Sequence, residues 1–184
     1  MLGPVELRTD RLRLRNWSPD DLEGLARLNA DESVMEFMWS GPQTREQSKD
    51  WLDQRIEIEG DGECAVFAAE RLDTGAFIGW IGLNVPAGIP ELADEVEVGW
   101  RLLPEHWGRG FATEGARASI AWGFTDRGLR RIISTYDPEN LRSRRVMDKL
   151  GMREWKRVVH PLYQRELLVL ELTRDEPSRR ARHA

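Results

Sequence analysis

A glycine-rich turn between a predicted strand and a predicted helix is the segment of this sequence best suited to bind a ligand. It covers residues 107–113, with the sequence Trp-Gly-Arg-Gly-Phe-Ala-Thr. Glycines let backbone N–H groups approach a ligand closely, and the N–H groups and dipole of a helix N-terminus attract phosphate. The segment therefore predicts a phosphate-binding loop, although a short glycine motif is also compatible with an ordinary strand-to-helix turn.

Two common nucleotide-binding motifs do not match this loop. A P-loop ends in Gly-Lys-Ser or Gly-Lys-Thr, whereas Phe111, Ala112 and Thr113 follow Gly110 here. The dinucleotide fingerprint requires another glycine spacing in a strand, turn and helix unit that opens the chain, and this chain does not open in that way. Both nucleotide interpretations are therefore disfavoured.

Two carboxylates precede the loop on a segment of alternating polar and apolar residues. Glu95 and Glu97 are predicted to share one face of a strand, and the apolar residues between and after them take the other face. Like charges in proximity raise the pKa of one carboxyl group, which suits a general base. The alternative is a solvated strand face balanced by Arg101.

A short predicted helix near residue 141 carries further candidates. Asn140 and Ser143 are three residues apart and share a face of this helix, where a hydroxyl could donate a hydrogen bond to a ligand. The same two residues are also typical of a helix N-cap and its supporting N3 position, and both roles can coexist. Three arginines nearby either bind a phosphate or form a solvated face: Arg142, Arg144 and Arg145.

These candidates are positioned by seven predicted strands and four predicted helices. Strands are predicted over 7–15, 65–70, 77–83, 95–102, 131–136, 154–159 and 167–172. Helices are predicted from residue 19, from residue 44 to about residue 60, over 113–124 and over 141–150. This order predicts an α+β fold built on a mixed sheet.

Length, charge and cysteine content restrict the class of protein. The chain has 184 residues, a net charge of -5 and one cysteine, Cys64. We expect one domain over residues 5–174, followed by a flexible basic tail over 175–184. The negative charge disfavours nucleic-acid binding, and the lack of a signal peptide or long apolar run predicts a cytoplasmic protein without membrane contact. His106 and His160 lack partners at ligand spacing, so no metal site is predicted.

Four separated segments resemble the GNAT superfamily of N-acetyltransferases, and specifically its bacterial RimJ and RimL branch of ribosomal-protein N-terminal acetyltransferases. The segments occur in the order of that family and together span nearly the whole chain: 9–15, 97–102, 107–114 and 140–152. The resemblance implies a GNAT fold, with a mixed, mostly antiparallel sheet of six to seven strands flanked by about four helices. It also implies an acetyl-CoA-dependent acyltransferase that acts on an amine.

For a reaction of this class, we predict a role for each candidate residue. Glu97 would deprotonate the amine, Ser143 would protonate the leaving thiolate, and Asn140 would bind the pantetheine arm. Acetyl-CoA would be a cosubstrate bound by Leu102, Trp107, Gly108, Arg109, Gly110, Phe111, Ala112, Thr113, Asn140, Ser143 and Arg145. Transfer is predicted to be direct, without an acyl-enzyme, because Cys64 lies outside all four segments.

Two departures from the family pattern, and the acceptor, leave alternatives open. Trp107 stands where the superfamily usually has arginine or glutamine, and Met147 stands where many members have a catalytic tyrosine. The missing tyrosine motivates a rival hypothesis, a non-catalytic acyl-CoA sensor or interaction module. The acceptor is either a protein N-terminus or a small amine; an acidic stretch over 57–63 favours a cationic one. Members of the family often form dimers, so the resemblance allows a homodimer.

Overall fold

The computed structural model describes residues 5–38, 40–58, 65–86 and 88–174. Several residues used in the sequence argument lie outside this part of the chain. They are Glu59, Asp61, Glu63, Cys64 and the basic segment 175–184.

A mixed sheet of eight strands forms the centre of the described chain. In chain order the strands are β1 (Leu7–Arg8), β2 (Leu12–Arg15), β3 (Val66–Arg71), β4 (Phe77–Asn84), β5 (Glu97–Leu102), β6 (Arg131–Tyr136), β7 (Arg153–His160) and β8 (Arg165–Thr173). Their order across the sheet is β1-β2-β3-β4-β5-β6-β8-β7. Only the β5–β6 pair is parallel among the described strands, and every other neighbouring pair is antiparallel.

Helices cover both faces of this sheet. In the described chain the α-helices are α1 (Leu22–Ala30), α2 (Glu32–Met35), α3 (Arg45–Ile58), α4 (Phe111–Thr125) and α5 (Leu141–Leu150). Alternate residues of a strand point to opposite faces. Phe67 and Ile81 accordingly pack with Trp122 of α4, whereas Ala68 packs with Leu25 and Leu52 of α1 and α3. The core therefore consists of two apolar layers separated by the sheet.

The predicted α+β class and GNAT fold are confirmed, with one strand and one helix more than expected. The predicted strand 7–15 is two strands, because Thr9 closes a turn in which its N–H donates to the Leu12 carbonyl at 3.0 Å and its Oγ1 accepts from the Leu12 N–H at 2.9 Å. The additional helix α2 is capped by Asp31, whose carboxylate accepts from the N–H groups of Ser33 and Val34. Helix α4 begins at Phe111 rather than at Thr113.

No helix in the described ranges is both long and apolar enough to cross a membrane.

Among the described glycines, Gly79 in β4 makes the closest approach to a neighbouring strand. Gly79 has φ +138°, and a Cβ atom there would lie 2.1 Å from the carbonyl oxygen of Arg101 in β5. Both the conformation and the contact exclude a side chain, so this glycine keeps β5 in register with β4.

We expect Gly79→Ala to lower the free energy of unfolding by more than about 3 kcal/mol, because backbone strain and overpacking each cost about 1–3 kcal/mol. Gly75→Ala is the matched control: Gly75 has φ +68° with open space around it, so only about 1–2 kcal/mol of strain is expected. Urea unfolding of the three proteins measures both values. Equal losses in the two variants would contradict the close approach.

Candidate active site

A cleft of about 620 Å³ opens where β5 and β6 part. The two strands pair at a single register position, Glu97 opposite Ile133. The loop 107–113 and helix α5 line one side of the cleft, and side chains from α2 and α3 line the other. The cleft therefore joins three of the four segments that the sequence singled out, 97–102, 107–114 and 140–152, whereas no residue of 9–15 lines it.

Backbone groups of β5 face this parting. The Val98 carbonyl accepts from Ser134 Oγ at 2.9 Å and the Leu102 carbonyl accepts from Trp107 Nε1 at 2.6 Å, both on the β6 side. Because backbone direction alternates along a strand, Trp100 has the same orientation. Its N–H points into the cleft, where β6 no longer pairs with β5.

Glu97 lies at the point of parting. Its Oε1 accepts from the backbone N–H of Thr135 at 2.8 Å and from the Thr135 hydroxyl. The carboxylate is enclosed by protein but retains some surface at the cleft. Burial raises the pKa of Glu97, and hydrogen bonds from Thr135 and Asn84 offset part of that rise.

The expected cause of this raised pKa was wrong. The sequence suggested repulsion from Glu95, but Glu95 forms an ion pair with Arg131 and is absent from the causes that act on Glu97. Desolvation of the Glu97 carboxylate, and not repulsion from Glu95, raises this pKa. The alternative of a face balanced by Arg101 is also not what the structure shows, because Arg101 pairs with neither glutamate.

The loop presents unpaired backbone donors to the cleft. Gly108 and Gly110 have φ +72° and φ +83°, and Gly110 is the N-cap of α4 without a side-chain cap. The N–H groups of 108–113 have no acceptor among the described residues. A ring of free N–H groups at the positive end of a 15-residue helix fits a pyrophosphate. The residues present thus fit the predicted cofactor.

Trp107 and Leu102 hold the start of the loop. Besides its bond to the Leu102 carbonyl, the Trp107 ring stacks under the Arg142 guanidinium at 4.4 Å. Leu102 is buried at 5% exposure. The side chain of Trp107 therefore fixes the loop, and its N–H donates to the Pro104 carbonyl at 3.0 Å, so neither group of this residue is a spare donor for a ligand.

Asn140 and Ser143 lie together at the start of α5 and both line the cleft. Asn140 Oδ1 accepts from the Ser143 N–H at 3.0 Å, so Asn140 is the helix N-cap, the alternative that the sequence left open. The Ser143 hydroxyl has no hydrogen-bond partner among the described residues. Met147 is fully buried in the core and offers no acid.

The three arginines of α5 differ in their partners. Arg142 pairs with Glu36 at 2.7 Å. Arg144 pairs with Asp148 and Glu154 and also donates to the Tyr136 hydroxyl. Arg145 lines the cleft and has no carboxylate partner in the described ranges. Of the three, only Arg145 therefore lacks a carboxylate partner in the described chain, which agrees with the phosphate contact suggested for it.

The structure also shows a brace behind the loop that the sequence did not reveal. Glu114, in the first turn of α4, accepts from Thr9 Oγ1 at 2.6 Å, from the Arg11 N–H at 2.9 Å and from Arg11 Nε at 2.7 Å. Arg11 also donates to the Arg109 carbonyl at 3.0 Å and stacks on Phe111 at 4.5 Å. About a hundred residues separate the partners, so no local pattern could pair them.

Among the described residues, no group of three or more His, Cys, Asp or Glu side chains could hold a metal ion.

Comparison with known proteins identifies the family. Residues 11–153 match the model of the acetyltransferase (GNAT) domain. YkkB of Bacillus subtilis is 31% identical over 90% of this chain and 98% of its own length. The N-acetyltransferase YnaD of the same organism is 32% identical over 81% and 83%, respectively. The chain therefore belongs to the GNAT acetyltransferase family, and the predicted class of enzyme, an acyltransferase, is confirmed.

Solved structures agree on the fold. A GNAT-family acetyltransferase from Bacillus anthracis superposes with a TM-score of 0.79 at 25% identity, covering 92% of this chain and 98% of that one. Ribosomal-protein-S5-alanine acetyltransferase from Vibrio fischeri has a TM-score of 0.75 at 20% identity, covering 94% and 98%. Spermidine N-acetyltransferase from Vibrio cholerae, in complex with CoA and spermine, has a TM-score of 0.72 at 19% identity, covering 90% and 96%.

We expect Glu114→Gln to raise the Kd for acetyl-CoA about tenfold, equivalent to about 1.4 kcal/mol. The amide would set an N–H group against the Arg11 guanidinium or lose a charge-assisted bond, and the loop would loosen. Calorimetric titration measures the Kd. The control is Glu166→Gln on β8, which removes an exposed ion pair with Arg157 on β7 and should leave the Kd unchanged. An unchanged Kd in Glu114→Gln would show that the brace does not position the loop.

Proposed function

We propose that this protein transfers the acetyl group of acetyl-CoA to a primary amine by direct attack in a ternary complex. The observation that carries the proposal is the convergence of two features on one cleft. They are the uncapped N-terminus of α4 and the enclosed carboxylate of Glu97. We take the catalytic unit to be the single domain over residues 5–174.

The cofactor half of the cleft is formed mainly by backbone. The N–H groups of residues 108–113 hold the pyrophosphate, Asn140 contacts the pantetheine arm, and Arg145 reaches the 3′-phosphate. Acetyl-CoA supplies the acetyl thioester. Leu102 closes the apolar side of this half, and the Trp100 N–H donates to the carbonyl oxygen on which negative charge develops.

Glu97 and Ser143 handle the protons. A protonated amine has no lone pair for attack, so Glu97 accepts a proton from it, directly or through water. The raised pKa of Glu97 brings its basicity closer to that of the amine. The Ser143 hydroxyl, which has no described protein partner, donates to the departing sulfur.

Two questions about the acceptor and the branch belong to this proposal. Similarity to the RimJ and RimL branch rests on distant structural relatives such as the Vibrio fischeri enzyme, at 20% identity. It favours a protein N-terminus, while the Vibrio cholerae enzyme is named for a small polyamine. Of the acidic residues in 57–63, only Glu57 lies in the described chain, and it is exposed and not part of the cleft lining. The non-catalytic sensor is disfavoured because Glu97 and Ser143 both line the cleft.

We expect Glu97→Gln to lower kcat by about 10²–10⁴-fold, the usual contribution of a general base, while calorimetry shows unchanged acetyl-CoA binding. Glu95→Gln, on the same strand but paired with Arg131 away from the cleft, is the control and should retain turnover. Equal losses in both variants would remove Glu97 from the mechanism. If the wild-type protein did not bind acetyl-CoA, the cofactor assignment itself would be wrong.

The pH dependence of Glu97 has a definite sign. Because the pKa of Glu97 is raised, the acid limb of the profile of kcat against pH lies at a higher pH than an ordinary glutamate would give. The kcat rises with pH as Glu97 loses its proton. The same shift destabilises the fold as pH rises through that pKa, because burial disfavours the charged form. Glu97→Gln should therefore abolish the acid limb of the kcat profile and keep the free energy of unfolding at pH 8. If Glu97 had only a structural role, the substitution would lower that free energy.

We expect Ser143→Ala to lower kcat about 100-fold, the lower end for a general acid, because a thiolate is a good leaving group. Ser143→Thr keeps a hydroxyl and should restore most of the turnover. Tyr136→Phe is the comparison, since the Tyr136 hydroxyl also borders the cleft but already accepts from Arg144. A larger loss in Tyr136→Phe than in Ser143→Ala would transfer the role of acid to Tyr136.

A further inference from the structure

An enclosed cation with no carboxylate partner among the described residues lies on the side of the cleft opposite the loop 107–113, which we call the acceptor half. Arg101 Nη1 donates to Asn29 Oδ1 at 2.8 Å, and the guanidinium lies 5.3 Å from the centre of the Trp80 ring. No described carboxylate pairs with it. Burial lowers the pKa of Arg101 to about 10, so the group still carries its charge at pH 7.

Such a charge is costly unless an anion meets it. A guanidinium has five N–H donors, and enclosed charges in proteins are normally paired. Arg101 borders the cleft, and its nitrogens are not among the sealed polar atoms without partners, which are Asn84 Oδ1, His106 Nδ1 and Ser119 Oγ. Because Arg101 lines the cleft and retains exposed surface, a ligand in the cleft can reach its side chain.

The same strand face sets the geometry of the acceptor site. Glu97, Gly99 and Arg101 alternate onto one face of β5, and the Trp80 ring covers Gly99, 3.2 Å from where its Cβ would lie. The Trp80 ring thus forms a floor between the base and the cation. Asn84 Oδ1, sealed and without a partner, lies 3.6 Å from the same Gly99 position.

The surrounding side chains fit an apolar body above this floor. Phe37, Met38 and Trp51 line the cleft here. These apolar side chains fit the body of an acceptor whose charged end meets Arg101.

We propose that Arg101 binds a carboxylate of the acceptor, so that the substrate is a peptide-like primary amine with a carboxylate several bonds away. The Cα atoms of Glu97 and Arg101 are four residues apart on a strand, roughly 13 Å at 3.3 Å per residue. The side chains of Glu97 and Arg101 bridge part of that interval, and an acceptor whose carboxylate lies several bonds from its amine covers more of the remainder than an α-amino acid, in which the two groups are adjacent. The planar guanidinium matches a carboxylate in a two-point contact. The inference rests on the proposed acetyl transfer at Glu97.

The test is acetyl transfer to matched acceptors that differ only in this charge. Alanyl-phenylalanine and 6-aminohexanoic acid are each compared with their amides, and spermidine is included. We expect kcat/KM for each acid to exceed that for its amide by at least tenfold. In Arg101→Gln, which removes the positive charge, the ratio should fall to about one. In Arg101→Lys it should be intermediate, because charge remains without the fork.

Controls separate the possible failures. Arg157→Gln, an exposed arginine on β7, should keep the wild-type ratio, and urea unfolding confirms that each variant is folded. If Arg101→Gln does not fold, the Arg101→Lys ratio and the wild-type ratio decide. A wild-type ratio near one, or faster turnover of spermidine, overturns the role of Arg101 while the acetyl-transfer proposal stands. If no amine is acetylated although acetyl-CoA binds, the proposed function itself fails.

Discussion

The parting of two parallel strands after a single register position is the constraint on which the rest of the site depends. Ile133 N–H still donates to the Val96 carbonyl at 2.9 Å, but the next backbone donor of β6, at Thr135, turns to the side chain of Glu97. A carboxylate thus takes the place of the next ladder acceptor. This carboxylate ends the pairing of β5 with β6 and lines the cleft. It also accepts the hydrogen bond of the Thr135 N–H, which would otherwise lack an acceptor.

The second requirement is that the loop remain rigid although its own donors are unpaired. Left-handed glycines turn those donors toward the cleft, and the stiffness comes from outside the loop. Arg11 contacts both ends of the brace, the Glu114 carboxylate and the Arg109 carbonyl. The first hairpin of the chain therefore acts as the support of a binding site about one hundred residues away, which explains why its turn interrupts the expected single strand.

The sequence predicted the elements and most of the lining, because both follow from local patterns. Alternation marked β5, glycines marked the loop, and Asn140 with Ser143 marked the start of α5. The sequence did not predict the brace at Glu114, the cause of the raised pKa at Glu97, or the isolation of Arg101. Each of these depends on contacts between segments far apart in the chain, which leave no spacing to detect. Asp31, by contrast, was a local cap that could have been found.

The two halves of the cleft are encoded in different ways, and this difference bears on how such an enzyme diversifies. The loop half depends on main-chain conformation, so its outward side chains are free to vary, provided that glycine remains where φ is positive. The opposite half depends on individual side chains such as Arg101 and Phe37. A single substitution there can alter the preferred amine without disturbing the donor of the acetyl group. The loop half is thus constrained by its backbone conformation, and the opposite half by the identity of its side chains.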